Sequence, residues 1–560
     1  MCWFRDAATS SMLVTALNLA LGVAAPASAA AASPPPANTP MNLVLRSRAD
    51  TPGQGAARVV ETPAVWNPGR TAAIVCDMWD LHHCLNAVRR EVEMAPRMDA
   101  LLKNLRDRGV LIVHAPSGCT AAYADHPARR RAQGVPRSTS LPKGIGEWCK
   151  RIPPEEQGTY PVDQTDGGED DDPAEHAQWA AHLASIGRDP RAPWKSQTDL
   201  ITIDAAADLI SDDGAEIWAA LEARGVENVI LMGVHTNMCV LGRPFGLRQM
   251  AKNGKNVVLV RDMTDTMYNP ARAPFVSHFS GTDRVVEHVE RYVCPTVSSD
   301  QFVGGPPFRF TADRRPRVVF LVAEDEYKTE ATLPAFASAQ LSRDFAVRFV
   351  FESADDKNRL TGVSAIPEAD VLVVSARRRA FPEAQLAAVR AHVAAGKAVV
   401  GIRTASHAFS LRGDTKAPEG HGVWPEFDAQ VLGGHYTNHH NAGPPVTLTS
   451  AEGASKSPLL KGVDVGSLTS KGTLYKVSPL AASAAPILTG TIPGQTPEPV
   501  AWTNLTALGG RVFYTSLGHA GDFAQPAFTR LLRNAITWAA GLDVPDKVEV
   551  ASTDPIPFPK

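Results

Sequence analysis

Two separate stretches of this chain repeat one pattern, in which short runs of almost wholly apolar residues alternate with longer amphipathic ones. In the first stretch the apolar runs fall at 72–79, 110–116, 200–204, 228–234 and 256–263, with helical periodicity at 87–108, 213–224, 239–252 and 283–293. In the second, apolar runs at 317–323, 346–351, 370–375 and 398–403 alternate with helical patterns at 331–345 and 382–395. Shorter runs at 485–491, 499–503 and 511–517 and a closing helix at 527–540 follow. Strands with no polar alternation must bury both faces, which a parallel sheet covered by helices on each side provides. The expected class is therefore α/β in two domains, each a mainly parallel sheet with helices on both faces. Ligands then belong at the carboxyl ends of the strands.

A chain of 560 residues is too long for one ordinary core. The pattern divides it into a leader at 1–29, an Ala/Pro-rich tether at 30–67, a first domain at 68–296, a linker at 297–315, a second domain at 316–545 and a tail at 546–560. Arg5, the apolar stretch 12–25 and the small-residue sequence Ala27-Ser28-Ala29 give the leader the form of a secretory signal peptide, so a periplasmic or secreted protein is expected. No later run is long and apolar enough to span a bilayer. A net charge of −3 supplies no general attraction to nucleic acid, which leaves small molecules as the expected partners and homo-oligomerisation open. Of seven cysteines, Cys2 leaves with the leader, and Cys119 and Cys149 could pair after export. The acidic run 163–172 does not have EF-hand spacing and reads as a solvated loop.

Cys239 is the foremost candidate for chemistry. It stands in Gly233-Val-His-Thr-Asn-Met-Cys239, between an apolar run and a helical pattern, where backbone N–H groups at a helix start would favour a thiolate and an oxyanion. Asp77 ends the first apolar run and Lys195 precedes the third, so all three would meet on one rim of the sheet. This order of Asp, Lys and Gly-Val-x-Thr-x-x-Cys resembles that of the isochorismatase-like cysteine hydrolases, which include nicotinamidases and N-carbamoylsarcosine amidohydrolases. The resemblance implies that Asp77 takes the thiol proton, that Lys195 holds the charges in place, and that Cys239 attacks a carbonyl to give an acyl-enzyme. It also implies a cis peptide at Val234–His235, with the N–H groups of His235 and Cys239 as the oxyanion hole. An Asp-x-His metal motif of nicotinamidases is absent after the second strand; instead Asp80, His82 and His83 have a spacing that could bind a divalent metal or, with Trp79, line the pocket, and lining is the expectation. The expected substrate is a small amide or related acyl compound, with no cofactor required at Cys239.

In the second stretch, Gly401-Ile-Arg-Thr-Ala-Ser406-His407, Leu432-Gly-Gly-His435-Tyr436 and Ser516-Leu-Gly-His519 resemble motifs of ThuA-like (trehalose utilisation) domains, whose fold is that of class I glutamine amidotransferases. No cysteine follows Cys294, which excludes thiol-dependent glutamine hydrolysis in this half. The resemblance implies a sugar ligand in a cleft containing Ser406, His407, His435, Tyr436 and His519. The three histidines are candidates for a divalent-metal site or for acid/base work. Two alternatives to a cysteine hydrolase fused to a ThuA-like domain stand beside it: a carbohydrate-binding protein with a silent first domain, and a metal-dependent sugar enzyme whose activity lies in the second.

Overall fold

The structure is a computed structural model that describes residues 39–50 and 57–559. The expected leader, and the tether as far as residue 38, lie outside the described residues. Two large sheets are present, as the two alternating stretches require.

The first sheet has eight strands: β1 (Met41–Ala49), β2 (Arg58–Trp66), β3 (Thr71–Cys76), β4 (Leu111–Ala115), β5 (Leu209–Ile210), β6 (Asn228–Val234), β7 (Asn256–Asp265) and β8 (Thr296–Val297). They lie in the order β2-β1-β8-β7-β6-β3-β4-β5, and β3 to β8 run parallel. The central strands carry no polar face: Ala72, Ala73, Ile74, Val75 and Cys76 are all fully buried. Leu85–Asp107 and His278–Tyr292 are among the helices that cover the sheet, and Asp213 caps Gly214–Ala223 by accepting the Ala215 and Glu216 N–H groups. Strand order places β6 beside β3, so the residues that leave the ends of these two strands become neighbours.

Several boundaries differ from the sequence expectation. Residues 41–49 and 58–66 are not a tether: β1 and β2 pair antiparallel, and β1 also pairs β8 and extends the sheet. The run at 200–204 is irregular, and the strand in its place is β5, only two residues long and thus too short for periodicity to reveal. The stretch 297–315 is not a free linker, since Phe302 and Phe310 are buried in the first domain's core. Nor is 546–560 a free tail: Ala551 is buried in the first domain's core, Ile556 bridges to Tyr160, and Phe558 packs on Tyr160 and His288. In the acidic run, Asp171 accepts the Leu85 and Asn86 N–H groups at a helix start and Asp170 pairs with Arg90, so part of it is structural rather than solvated. The six cysteines among the described residues, Cys119 and Cys149 included, are free and buried.

The second sheet has nine strands, in the spatial order Leu360–Thr361, Ala346–Glu352, Arg317–Ala323, Val371–Ala376, Ala398–Ile402, Arg511–Thr515, Glu498–Leu505, Ala485–Thr491 and Thr447–Ser450. Five neighbours at its centre run parallel, and the last three strands are antiparallel. The long insertion before Val477 supplies the edge strand Thr447–Ser450 and a small ladder between Asn438–His439 and Tyr475–Lys476. No helix among the described residues is long and apolar enough to cross a membrane.

Candidate functional site

The first site is built where β3 and β6 end. Asp77, the residue after β3, has φ of +48°, a left-handed conformation that aspartate tolerates better than most residues. Gly233 in β6 has φ of +112°, and a Cβ there would lie 2.0 Å from the Cys76 carbonyl oxygen, so only glycine allows the two strand ends to approach this closely. The Val234–His235 peptide is cis. After it, Thr236–Val240 forms a single π-helical turn that carries Cys239.

Side chains hold that turn from below. Thr236 Oγ1 lies 2.6 Å from Thr264 Oγ1 and donates to the Asp265 carbonyl, while Thr264 Oγ1 donates to the Gly233 carbonyl. Asn237 exchanges two hydrogen bonds with the Met267 backbone, at 2.8 and 3.0 Å. Tyr160 Oη donates to the Asn237 carbonyl at 3.0 Å. A turn with this many fixed polar partners keeps the Cys239 side chain in one place.

Cys239 and Asp77 are near enough to act on one another's protonation, and the third member of the cluster is Arg243. Its Nε donates to Asp77 Oδ2 at 3.2 Å, and its charge also acts on the Cys239 sulfur. The Ser117 backbone N–H donates to Asp77 Oδ1 at 2.7 Å. Lys195 is not brought to this cluster. Its side chain is exposed and makes no ion pair among the described residues, and only its backbone N–H is used, donating to Asp80. Arg243 carried a signal that sequence reading passed over: it stands four residues after Cys239, hence on the same face of a helical segment.

Burial and then the Asp77 charge push the Cys239 thiol up, with Arg243 pulling it down. Burial likewise raises the Asp77 carboxyl, against Arg243, the thiol and Ser117. The residue Cys239 is 8% exposed, and the Arg243 side chain beside it is 28% exposed, so the cluster opens to solvent on the arginine side. The thiol therefore keeps its proton at rest, with an acceptor nearby.

An aromatic wall adjoins this cluster. Trp79 stacks on Trp194 with centroids 4.5 Å apart, and His82 lies 5.9 Å from Trp194, 4.1 Å from His83 and 4.9 Å from His235. Burial drives His82 well below its usual range and His235 to about 4, so both rings are neutral. Asp80 lies apart from them as an acceptor for Arg188 and for the Lys195 and Ser196 N–H groups. His82 and His83 do not converge with a third ligand on a metal position among the described residues.

In the second domain, Arg403–His407 forms a short turn after Ala398–Ile402. Ser406 Oγ lies 3.1 Å from His407 Nδ1, and the His407 ring stacks on Tyr436 at 4.5 Å. Tyr436 lies 4.7 Å from Tyr475. His519 stands across from these with its ring 5.9 Å from Tyr327, and its Nδ1 accepts the Gly521 N–H. His435 is exposed. His407, His435 and His519 do not come together as a three-ligand metal set among the described residues, because one is exposed on the insertion and another caps a helical turn. Sequence reading missed Arg403, which is 1% exposed and lies over the rings of Tyr327 and Tyr475 at 4.2 and 4.8 Å.

Residues 317–539 match the family model ThuA, described as trehalose utilisation. These residues form a ThuA domain. Among solved structures, a putative ThuA-like protein from Bacteroides uniformis is 16% identical, covers 42% of this chain and 95% of its own, and has a TM-score of 0.31. A cysteine hydrolase from Pseudomonas syringae is 15% identical over 42% of this chain and 92% of its own, with a TM-score of 0.26. An N-carbamoylsarcosine amidase from Thermoplasma acidophilum is 15% identical over 35% and 83%, with a TM-score of 0.19. No curated protein matches the chain.

Proposed function

We propose that the domain preceding the ThuA domain is an isochorismatase-like cysteine hydrolase that cleaves a C–N amide or related acyl bond of a small molecule through Cys239. The observation that carries this reading is the proximity of a thiol, a buried carboxylate and a guanidinium at the ends of two adjacent parallel strands.

The chemistry follows from the resting protonation. As the Cys239 sulfur bonds to the substrate carbonyl carbon, its proton passes to Asp77, and the carbonyl oxygen takes the electron pair of the broken π bond. The backbone N–H groups of His235 and Cys239, on the turn that starts with the cis peptide, are the donors available to that oxyanion. Asp77 then gives the proton to the departing nitrogen as the C–N bond breaks. Water, deprotonated by Asp77, attacks the thioester and releases the acid with the thiol restored. Arg243 keeps one cation beside Asp77 and the sulfur throughout, so charge can move between them at small cost. The neutral stack of Trp79, Trp194 and His82 suits a flat, uncharged acyl group better than an anion.

Export to the periplasm or medium is part of the same proposal, resting on Arg5, the apolar stretch and Ala27-Ser28-Ala29. The ThuA domain is read as acting on or binding a sugar beside His407, Tyr436 and Tyr475. The test of the hydrolase is to incubate the full chain with a panel of small amides and look for a covalent acyl adduct by mass spectrometry. An adduct on the Cys239 peptide supports the mechanism. Turnover with a Cys239→Ala protein at the parental rate removes it.

A further inference from the structure

The side-chain cluster around His407 in the ThuA domain contains more positive charge than its own side chains neutralise. Arg403 is almost wholly buried, yet none of its hydrogen bonds goes to a carboxylate: they reach the Ser516 carbonyl at 2.7 Å, Tyr327 Oη at 3.2 Å and Thr473 Oγ1 at 3.5 Å. Its Nε has no partner at all. Arg378, whose backbone N–H donates to the His407 carbonyl, likewise has a buried Nε without a partner and no ion pair among the described residues. Arg412, exposed on the insertion, has none either. The one arginine of the group with a counter-charge is Arg377, which pairs with Glu326 at 2.6 Å.

These cations surround one place. Arg378, Arg377, Arg403 and Arg412 all act on His407, and with burial as the larger cause they hold its pKa at about 3. Arg378 also acts on Tyr436, and Arg403 lies on Tyr475, the two rings adjoining His407. A buried guanidinium without an acid is costly, and proteins keep such a group where a partner arrives from outside. Guanidinium forks match the geometry of carboxylate and phosphate oxygens. Tyrosine rings offer flat apolar faces with polar rims, which suit the hydroxylated ring of a sugar.

We propose that the ligand of the ThuA domain is an anionic sugar, a carbohydrate ring bearing a carboxylate or phosphate, with its charge met by Arg378, in the field of the buried Arg403, and its ring against the partly exposed Tyr436. This rests on the sugar reading of the domain and goes beyond it by naming the charge. His407, kept neutral first by burial and then by these arginines, can accept or donate a hydrogen bond.

Titration calorimetry of the full chain with hexuronates, hexose phosphates, their neutral parent hexoses, and inorganic phosphate tests the assignment. An anionic sugar should bind about tenfold or more tightly than its neutral parent, the gain expected of one charge-assisted contact. The gap should shrink with added salt and in Arg378→Gln. Arg378 is only partly buried, so this variant is informative even where Arg403→Gln fails to fold. Tighter binding of the uronate identifies a carboxylate, and tighter binding of the hexose phosphate identifies a phosphate. If the neutral hexose binds as tightly as its anion, the charge assignment falls while the sugar reading stands. If inorganic phosphate binds as tightly as the hexose phosphate, the site is a simple anion site and the inference is overturned. If no sugar of either kind binds, the inference and the sugar reading fall together.

Discussion

At the scale of single residues the decisive contacts are those of Cys239. Replacing it with alanine should lower amide turnover by about a thousandfold or more, as loss of a nucleophile does elsewhere, and steady-state kinetics on any substrate found will check it. Arg243 and Lys195 separate two versions of the site. Arg243 acts on both Asp77 and the sulfur, so Arg243→Ala should cost about 10- to 100-fold in kcat, whereas Lys195→Ala should stay within about twofold. The reverse ranking would restore the lysine to the role that motif order suggests. The placement of Asp77 and Cys239 at neighbouring strand ends was legible because each lies at or after the end of an apolar run, and strand ends are where ligands belong in parallel sheets. Arg243 was not singled out, because a plausible cation was already available at Lys195 and sequence does not show which side chain turns inward.

At the scale of elements, long apolar strands and capped helices were readable in position and type, and short or atypical ones were not. Arg317–Ala323 and Ala485–Thr491 coincide with their apolar runs, while β5, with two residues, leaves no period to detect. The β1–β2 pair was hidden behind an Ala- and Pro-rich approach. One polar cluster between elements gives a pH test. Glu155, fully buried, bonds Arg248 at 2.8 and 2.9 Å and His288 at 2.9 Å. Burial would raise its pKa, but His288 and Arg248 together bring it from 4.5 to about 2. A folded pKa below the unfolded one gives stability that is present above the unfolded value and lost as pH falls through the folded one, here between about pH 4.5 and 2. The shift corresponds to about 3 kcal/mol at neutral pH. Glu155→Gln should therefore lower stability in denaturant melts at pH 7 by roughly that amount or more, since it strands Arg248, and should cost much less near pH 2.5.

At the scale of the whole molecule, the two-domain α/β architecture was legible and its closure was not. The segment after the second domain returns to the first: Phe558 lies 5.3 Å from Tyr160, the Arg151 guanidinium sits 3.9 Å over the Phe558 ring, and the Ser552 N–H donates to the Pro274 carbonyl. Its Pro-rich composition reads as an unstructured end, and nothing in its own residues names the distant surface on which it lies. Removing residues 546–560 should lower the first domain's stability by about 1–3 kcal/mol, from lost apolar burial and the cation–π contact. Thermal denaturation followed by Trp fluorescence will check this, and an unchanged transition would mean the segment is bystander rather than buttress.

That return has a bearing on how the protein is made. Tyr160 supports the turn that carries Cys239 through the Asn237 carbonyl, and Phe558 packs on Tyr160. The leading domain thus emerges first from the ribosome yet lacks a supporting wedge until all of residues 317–539 have been synthesised behind it. A nascent chain arrested between the two would lack the Phe558 contact on Tyr160.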